Sequence, residues 1–394
     1  MRAMFGERSL ILMSLVTALG GAGCSTSAGE DFDPAFYVPP DPLPSETPGT
    51  LIRAESMEPF ADGMNVWRVL YVSQAVDGTP IAVSGMVASP TGAAPEAGYD
   101  VVTWGHGTKG IADPCAPSRF YRSGFQDFVD IAPELVAAGY VGVASDYEGL
   151  GTPGIHPYLL GASEGRGQLD IVKAAQQIDE ARAGSRVVIW GRSQGGHAAL
   201  FSGEIAPDWA PELTIRGVIS AAPAAELPGS LSFGAVVPGA FGFFWQLTVG
   251  FDATYDELSI EDIYTDEALA TIRGLIDEEA CGGTFSEVAR EVEGAGFKTN
   301  PTELPEWLAR LEESSPGRVR TDVPILLLQG TDDEVVPKVL TDILNINLCA
   351  IGSRVDYRVF EGFGHNDSTL MNMPLMLEWT AARFAGEPAT TTCE

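Results

Sequence analysis

One serine in the sequence sits where nucleophilic chemistry is possible. Gly191-Arg192-Ser193-Gln194-Gly195 is a G-x-S-x-G, preceded by the apolar run 186–190 and followed by Gly196 and the helical residues HAALFSGEI. Small residues are needed where a chain turns sharply from strand to helix, because bulk there would meet neighbouring backbone. The turn holds Ser193 at its tip, and the helix behind it points free N–H groups and a positive dipole end at any negative charge that develops. A serine hydroxyl is a weak nucleophile and needs a base, which in turn needs an orienting acid. Of the histidines His106, His156, His197 and His365, only His365 follows a candidate acid in the order nucleophile, acid, histidine. It lies in Glu361-Gly362-Phe363-Gly364-His365-Asn366, just after the run 357–360. The acid is expected where the run 325–328 leads into Gln329-Gly330-Thr331-Asp332-Asp333-Glu334-Val335-Val336-Pro337. A G-x-x-D spacing from Gly330 selects Asp333, with Asp332 as the alternative. Acyl transfer also needs an oxyanion hole, in which one donor contributes roughly 3 kcal/mol. The backbone N–H of Gln194 is one candidate donor. The second is the N–H of Thr108, in the loop Gly105-His106-Gly107-Thr108 that follows the run 101–104. His106 is read as bracing this loop, and His197 as a packed core residue.

These groups need a scaffold that brings distant segments to one edge. The apolar runs 101–104, 140–144, 186–190, 217–220, 325–328 and 357–360 suit buried parallel strands, with helical stretches at 125–138, 165–182 and 196–205. Two alternating segments, 65–76 and 81–90, flank Asp77-Gly78-Thr79-Pro80 and read as a hairpin. The expectation is an α/β fold: a mostly parallel, doubly wound sheet with an antiparallel hairpin at its start. About a hundred residues separate the runs 217–220 and 325–328, far more than an ordinary connection, so a cap subdomain is inserted there. The resulting division is a core in two parts, 51–223 and 322–394, around a cap at 224–321. The cap holds the apolar stretch 233–245. A membrane span there would leave Ser193 on one side of a bilayer and Asp333 with His365 on the other. Phe241, Phe243, Phe244 and Trp245 are therefore read either as substrate-binding side chains for an acyl group or as the cap's own core.

Composition narrows the partners. A formal charge of −31 and a pI near 4.3 repel phosphate backbones and anionic headgroups, which excludes nucleic-acid binding. With 394 residues, 45% of them apolar, the chain can bury an enzyme-sized core. Residues 1–23 read as a signal peptide, with two arginines before an apolar run too short for a span. Gly-Ala-Gly-Cys resembles a lipobox, although Gly21 stands where leucine is usual. Either Cys24 carries a lipid and tethers the protein to a membrane, or cleavage falls a few residues later and the protein is freely secreted. Residues 24–50 are rich in proline and acid and read as a tether or an extended surface segment.

Five ordered motifs resemble the secretory lipase family of the α/β-hydrolase superfamily. They are Asp113-Pro114-Cys115-Ala116-Pro117-Ser118, Asp146-Tyr147-Glu148-Gly149-Leu150-Gly151, His156-Pro157-Tyr158, the glycine-flanked serine, and Gly330 to Pro337 followed by Leu348-Cys349. The resemblance implies hydrolysis of triacylglycerols or other carboxylic esters through an acyl-enzyme, with no cofactor, and the sequence singles out no metal ligands. It also implies a cap over the site, an acyl chain bound beneath it, and disulfides pairing Cys115 with Cys281 and Cys349 with Cys393. The Asp146 motif is expected to pack beneath the site. Two rival readings stay open: an esterase for small or polymeric non-lipid esters, and an inactive hydrolase-fold binding module.

Overall fold

The computed structural model describes residues 33–119, 127–234 and 238–393. The expected signal peptide and the Cys24 anchor lie outside the described residues. So do residues 125–126 of the first expected helix and 235–237 of the apolar stretch.

Among the described residues one sheet of nine strands runs through the molecule. Its strands are β1 (Leu51–Met57), β2 (Met64–Gln74), β3 (Pro80–Pro90), β4 (Tyr99–Gly105), β5 (Val141–Ser145), β6 (Ala183–Arg192), β7 (Thr214–Ala221), β8 (Ile325–Gly330) and β9 (Val355–Phe360). They lie in the order β1-β2-β3-β5-β4-β6-β7-β8-β9. The first three pair antiparallel, β3 joins β5 antiparallel, and β5 through β9 are parallel. Each expected strand is present. β1 was not expected, because six of its seven residues are half-buried or exposed and the sequence shows no alternation there.

Alternation along the central strands feeds two apolar layers. Val187 and Ile189 face the helices α2 (Gly161–Ala175) and α3 (Gln194–Trp209), whereas Val188 and Trp190 face α1 (Asp127–Ala137) and the C-terminal helix. Strands covered on both faces must be apolar throughout, which is why they read as unbroken runs. α2 begins four residues before the expected 165 and ends at Ala175 rather than 182. It stops where Gln177 turns to the N-terminal segment, accepting from Leu51 N (3.0 Å) and donating to Gly49 O (2.7 Å).

The insertion is helical: α4 (Leu227–Gly234), α5 (Phe241–Asp252), α6 (Ile260–Ile263), α7 (Asp266–Asp277), α8 (Gly282–Ala289) and α9 (Pro305–Glu313). It has its own core around Trp245, Phe251, Tyr264, Phe285 and Trp307. The chain then returns through β8, α10 (Lys338–Ala350), β9, α11 (Asp367–Leu370) and α12 (Met373–Phe384). The disulfide Cys115–Cys281 ties the loop after β4 to α8, and Cys349–Cys393 pins the C-terminal segment to α10. In the segment before β1, Phe36 and Tyr37 bury themselves against Leu70 and Ala82, so this part lies on the surface of the core. Among the described residues no helix is long and apolar enough to cross a membrane.

Candidate active site

β6 delivers Ser193 directly into α3. The serine has φ 58° and ψ −120°, a conformation costly for any residue with a side chain and held here by its surroundings. Ser193 N donates to Ala221 O (2.9 Å), while its carbonyl accepts from His197 N (3.0 Å) and Ala224 N (3.2 Å). Glycine is forced on both sides. A Cβ at Gly195 would stand 1.9 Å from Gly105 O, and one at Gly191 1.8 Å from Gly195 O. That close approach brings the Gly105-His106-Gly107-Thr108 loop beside the nucleophile turn.

The loop after β8 holds Asp333 buried. Its Oδ1 accepts from Val335 N (2.9 Å) and Val336 N (2.8 Å), and its Oδ2 from Gln329 Nε2 (3.1 Å). Oδ2 also lies 2.8 Å from His365 Nδ1. Burial pushes the carboxyl's pKa up, but the bonds from His365 and the two backbone N–H groups outweigh it and hold Asp333 below the usual carboxylate range. Asp332 is exposed and takes its hydrogen bond from Thr331 Oγ1 (2.8 Å). The structure therefore brings His365 to Asp333 and not to Asp332.

Ser193 lines an apolar pocket whose wall includes Glu334, Val335, Val336 and Pro337, the continuation of the acid's own loop. Among the described residues no hydrogen bond joins Ser193 to His365. Their two loops are linked one residue away on each side, where Arg192 Nη1 donates to Asn366 Oδ1 (2.5 Å).

The rest of the pocket includes Tyr158 and Leu159, Leu227 and Leu231 on α4, and Phe243, Phe244 and Leu247 on α5. Phe241 and Trp245 do not line it. Both are buried in the insertion's core, with Trp245 Nε1 donating to Ala295 O (2.9 Å). An α-helix turns about 100° per residue, so a five-residue aromatic run cannot face one side. Of the four expected substrate-binding side chains, Phe243 and Phe244 line the pocket, Phe244 also packing into the core, while Phe241 and Trp245 belong to the core alone.

Behind the serine lies a buried polar network that sequence spacing did not disclose. Gln194 Nε2 donates to Glu164 Oε1 (2.8 Å) and meets His156 Nε2 at 2.7 Å, while His156 Nδ1 donates to Glu148 O (2.8 Å). Burial holds the His156 pKa below its ordinary value despite the nearby Glu164, so the ring is neutral and its Nε2 accepts. His197 bridges Glu164 Oε2 and Ser314 O, both at 2.8 Å. Thr108 Oγ1 bonds to Tyr158 OH (2.7 Å), which joins the expected second oxyanion loop to the pocket wall. His106 contacts Gly107 O (2.8 Å) and Asp146 O (3.2 Å), in keeping with a bracing role. Asp146 is buried and accepts from Ser84 Oγ (2.6 Å), Ser118 N (2.9 Å) and Ser118 Oγ; burial raises its pKa. Among the described residues no cluster of three or more His, Cys, Asp or Glu is arranged to hold a metal ion.

The secretory lipase family model matches residues 125–259 and 310–392, more than half of the chain. Lipase 6 of Candida albicans is 25% identical over 91% of this chain and 82% of its own length. A probable inactive lipase of Mycobacterium tuberculosis is 23% identical over 91% of this chain and 83% of its own. The structure of Candida antarctica lipase A in its closed state superposes with a TM-score of 0.77 at 18% identity, covering 92% of this chain and 89% of that one, which shows the shared α/β-hydrolase fold. With its sheet order, glycine-bounded serine turn and family match, the chain belongs to the secretory lipase family and is a lipolytic ester hydrolase.

Proposed function

We propose that Ser193 is the nucleophile, His365 its general base and then acid, and Asp333 the group that orients and stabilises the imidazolium. Ser193 Oγ attacks the ester carbonyl as His365 takes its proton, and the tetrahedral oxyanion is held by the backbone N–H groups of Gln194 and Thr108. His365 returns the proton to the leaving alcohol, and water then resolves the acyl-enzyme by the same route. The observation that carries this reading is the buried Asp333 bound to His365 at 2.8 Å, on the loop that also walls the pocket containing Ser193.

Residues 224–321 act as the cap, and Phe243, Phe244 and Leu247 receive the acyl chain. Each CH₂ buried there contributes about 0.8 kcal/mol, which favours medium or long acyl esters over acetate. The chain is read as exported, and Cys24 as the point at which it is tethered to a membrane or released. A series of p-nitrophenyl esters graded by chain length tests the substrate reading. kcat/KM should rise from acetyl to at least octanoyl, and a flat or falling profile would move the enzyme to small esters.

A further inference from the structure

The candidate active site lies beyond the carboxyl ends of the parallel strands. At their opposite ends is a second cleft of about 470 Å³, lined by Arg216 near the start of β7, Arg354 just before β9 and Arg383 near the end of α12. Gathering three guanidinium groups is unexpected in a chain of net charge −31. Elsewhere Arg186, Arg273, Arg310, Arg320 and Arg358 each pair with a carboxylate at 2.5 to 2.8 Å. Among the described residues, none of the three arginines in the cleft makes a salt bridge.

Each is instead anchored through a backbone carbonyl. Arg216 Nε donates to Arg383 O (3.4 Å), Arg354 Nη2 to Asp322 O (3.1 Å) and Arg383 Nη2 to Pro388 O (3.2 Å). Arg383 is only 6% exposed, and its Nε and Nη1 have no hydrogen-bond partner. Leaving charged donors buried and unpaired is costly, and so is bringing like charges together. Burial, with Arg354 and Arg216 close by, lowers the Arg383 pKa against the pull of Glu387 and Asp356.

Glu387 and Asp356 pull on Arg383 electrostatically, but neither carboxylate bonds to it. Asp322 and Glu387 also line the cleft, but both are exposed, and Asp322 Oδ1 is held by Arg320 (2.8 Å). Asp356 is held by Arg358 (2.8 Å) and Thr390 (2.6 Å). An anion with several acceptor oxygens, met by the accessible groups of Arg216 and Arg354, would separate the three positive charges and offset the charge of the buried Arg383 behind them. Planar guanidinium forks suit such an oxyanion.

We propose that this cleft binds a tetrahedral dianion, phosphate or sulfate, either free or as the terminal group of a small organic molecule. The site is remote from Ser193 and independent of the ester chemistry. Isothermal titration of the full chain with inorganic phosphate, glycerol 3-phosphate and acetate, at about pH 8 and matched chloride, tests it. Phosphate should bind saturably, one per chain, with acetate at least tenfold weaker. Arg216→Gln and Arg354→Gln, both at positions that reach solvent, should each weaken phosphate by about tenfold, the worth of one charge-assisted hydrogen bond. Hydrolysis of a soluble acetyl ester should be unchanged in both variants. Tighter binding of glycerol 3-phosphate than of phosphate supports an organic phosphate as occupant, and the reverse order supports the free ion. Absence of saturable phosphate binding, equal affinity for acetate, or undiminished binding in both variants would overturn the proposal.

Discussion

Glu164 Oε2 and His197 Nδ1 lie 2.8 Å apart, and neither side chain reaches solvent. The same carboxylate accepts from Leu159 N (3.0 Å) and Gln194 Nε2 (2.8 Å), so a single side chain ties the approach to α2 to the first turn of α3. Removing Glu164 leaves the buried donors His197 Nδ1, Gln194 Nε2 and Leu159 N without their acceptor, at a cost of roughly 3–5 kcal/mol together. Glu164→Ala should lower the free energy of unfolding by about that much in urea titrations. Glu164→Gln keeps the shape and one acceptor and should lose less than half as much. Equal losses in the two variants would mean that packing, not this hydrogen bonding, is what Glu164 contributes.

The division of the aromatic run on α5 leads to opposite phenotypes. Phe243→Asp places a charge in the pocket and should cut octanoyl ester hydrolysis at least tenfold more than acetyl hydrolysis, with little change in stability; Phe244→Asp should shift activity the same way but also destabilise, because Phe244 is buried in the insertion's core. Trp245→Ala empties part of the insertion's core and should cost about 3–5 kcal/mol of stability. The chain-length preference of whatever enzyme remains folded should be unaltered. A Trp245→Ala enzyme that stays stable but loses only its long-chain activity would reverse the assignment.

Glu204 gives the stability a pH dependence. Burial raises its pKa from 4.5 to about 7, against the opposing hydrogen bond from Gly317 N and the charge of His197. Between those values the folded protein keeps a proton that the unfolded chain releases. Stability therefore falls as pH rises from about 4.5 to about 7, and the penalty is complete above that. Glu204→Gln should stabilise the protein at about pH 8, by roughly 1–3 kcal/mol, and change little near pH 4. A gain of the same size at both pH values would show that ionisation of Glu204 is not its source.

What could be read from the sequence was chemistry confined to a short segment. The serine turn is legible because backbone crowding demands glycine at 191 and 195, and the central strands because burial on both faces makes them unbroken apolar runs. The start of α2 was not legible. Gly161 looks like a helix breaker, yet with Gly165 and Gly167, which lie inside the expected helix, it forms the surface on which α2 meets its neighbours. A Cβ at Gly161 would stand 2.2 Å from the Phe201 ring, and one at Gly167 3.0 Å from Ser145 Oγ. Contacts assembled from distant segments leave no local pattern. Glu164, Gln194 and His156 come together only once α2 packs on α3, and Arg216, Arg354 and Arg383 only once β7, β9 and α12 are in place.

The assignment of the nucleophile and its partners is tested most directly by labelling with a fluorophosphonate, followed by peptide mass spectrometry and steady-state kinetics of three variants. The adduct should be found on Ser193 alone. Ser193→Ala, His365→Ala and Asp333→Asn should each lower kcat by on the order of 10³-fold or more while unfolding at nearly the wild-type temperature. An adduct on another residue, or an Asp333→Asn enzyme that stays active while Asp332→Asn is dead, would contradict the assignment.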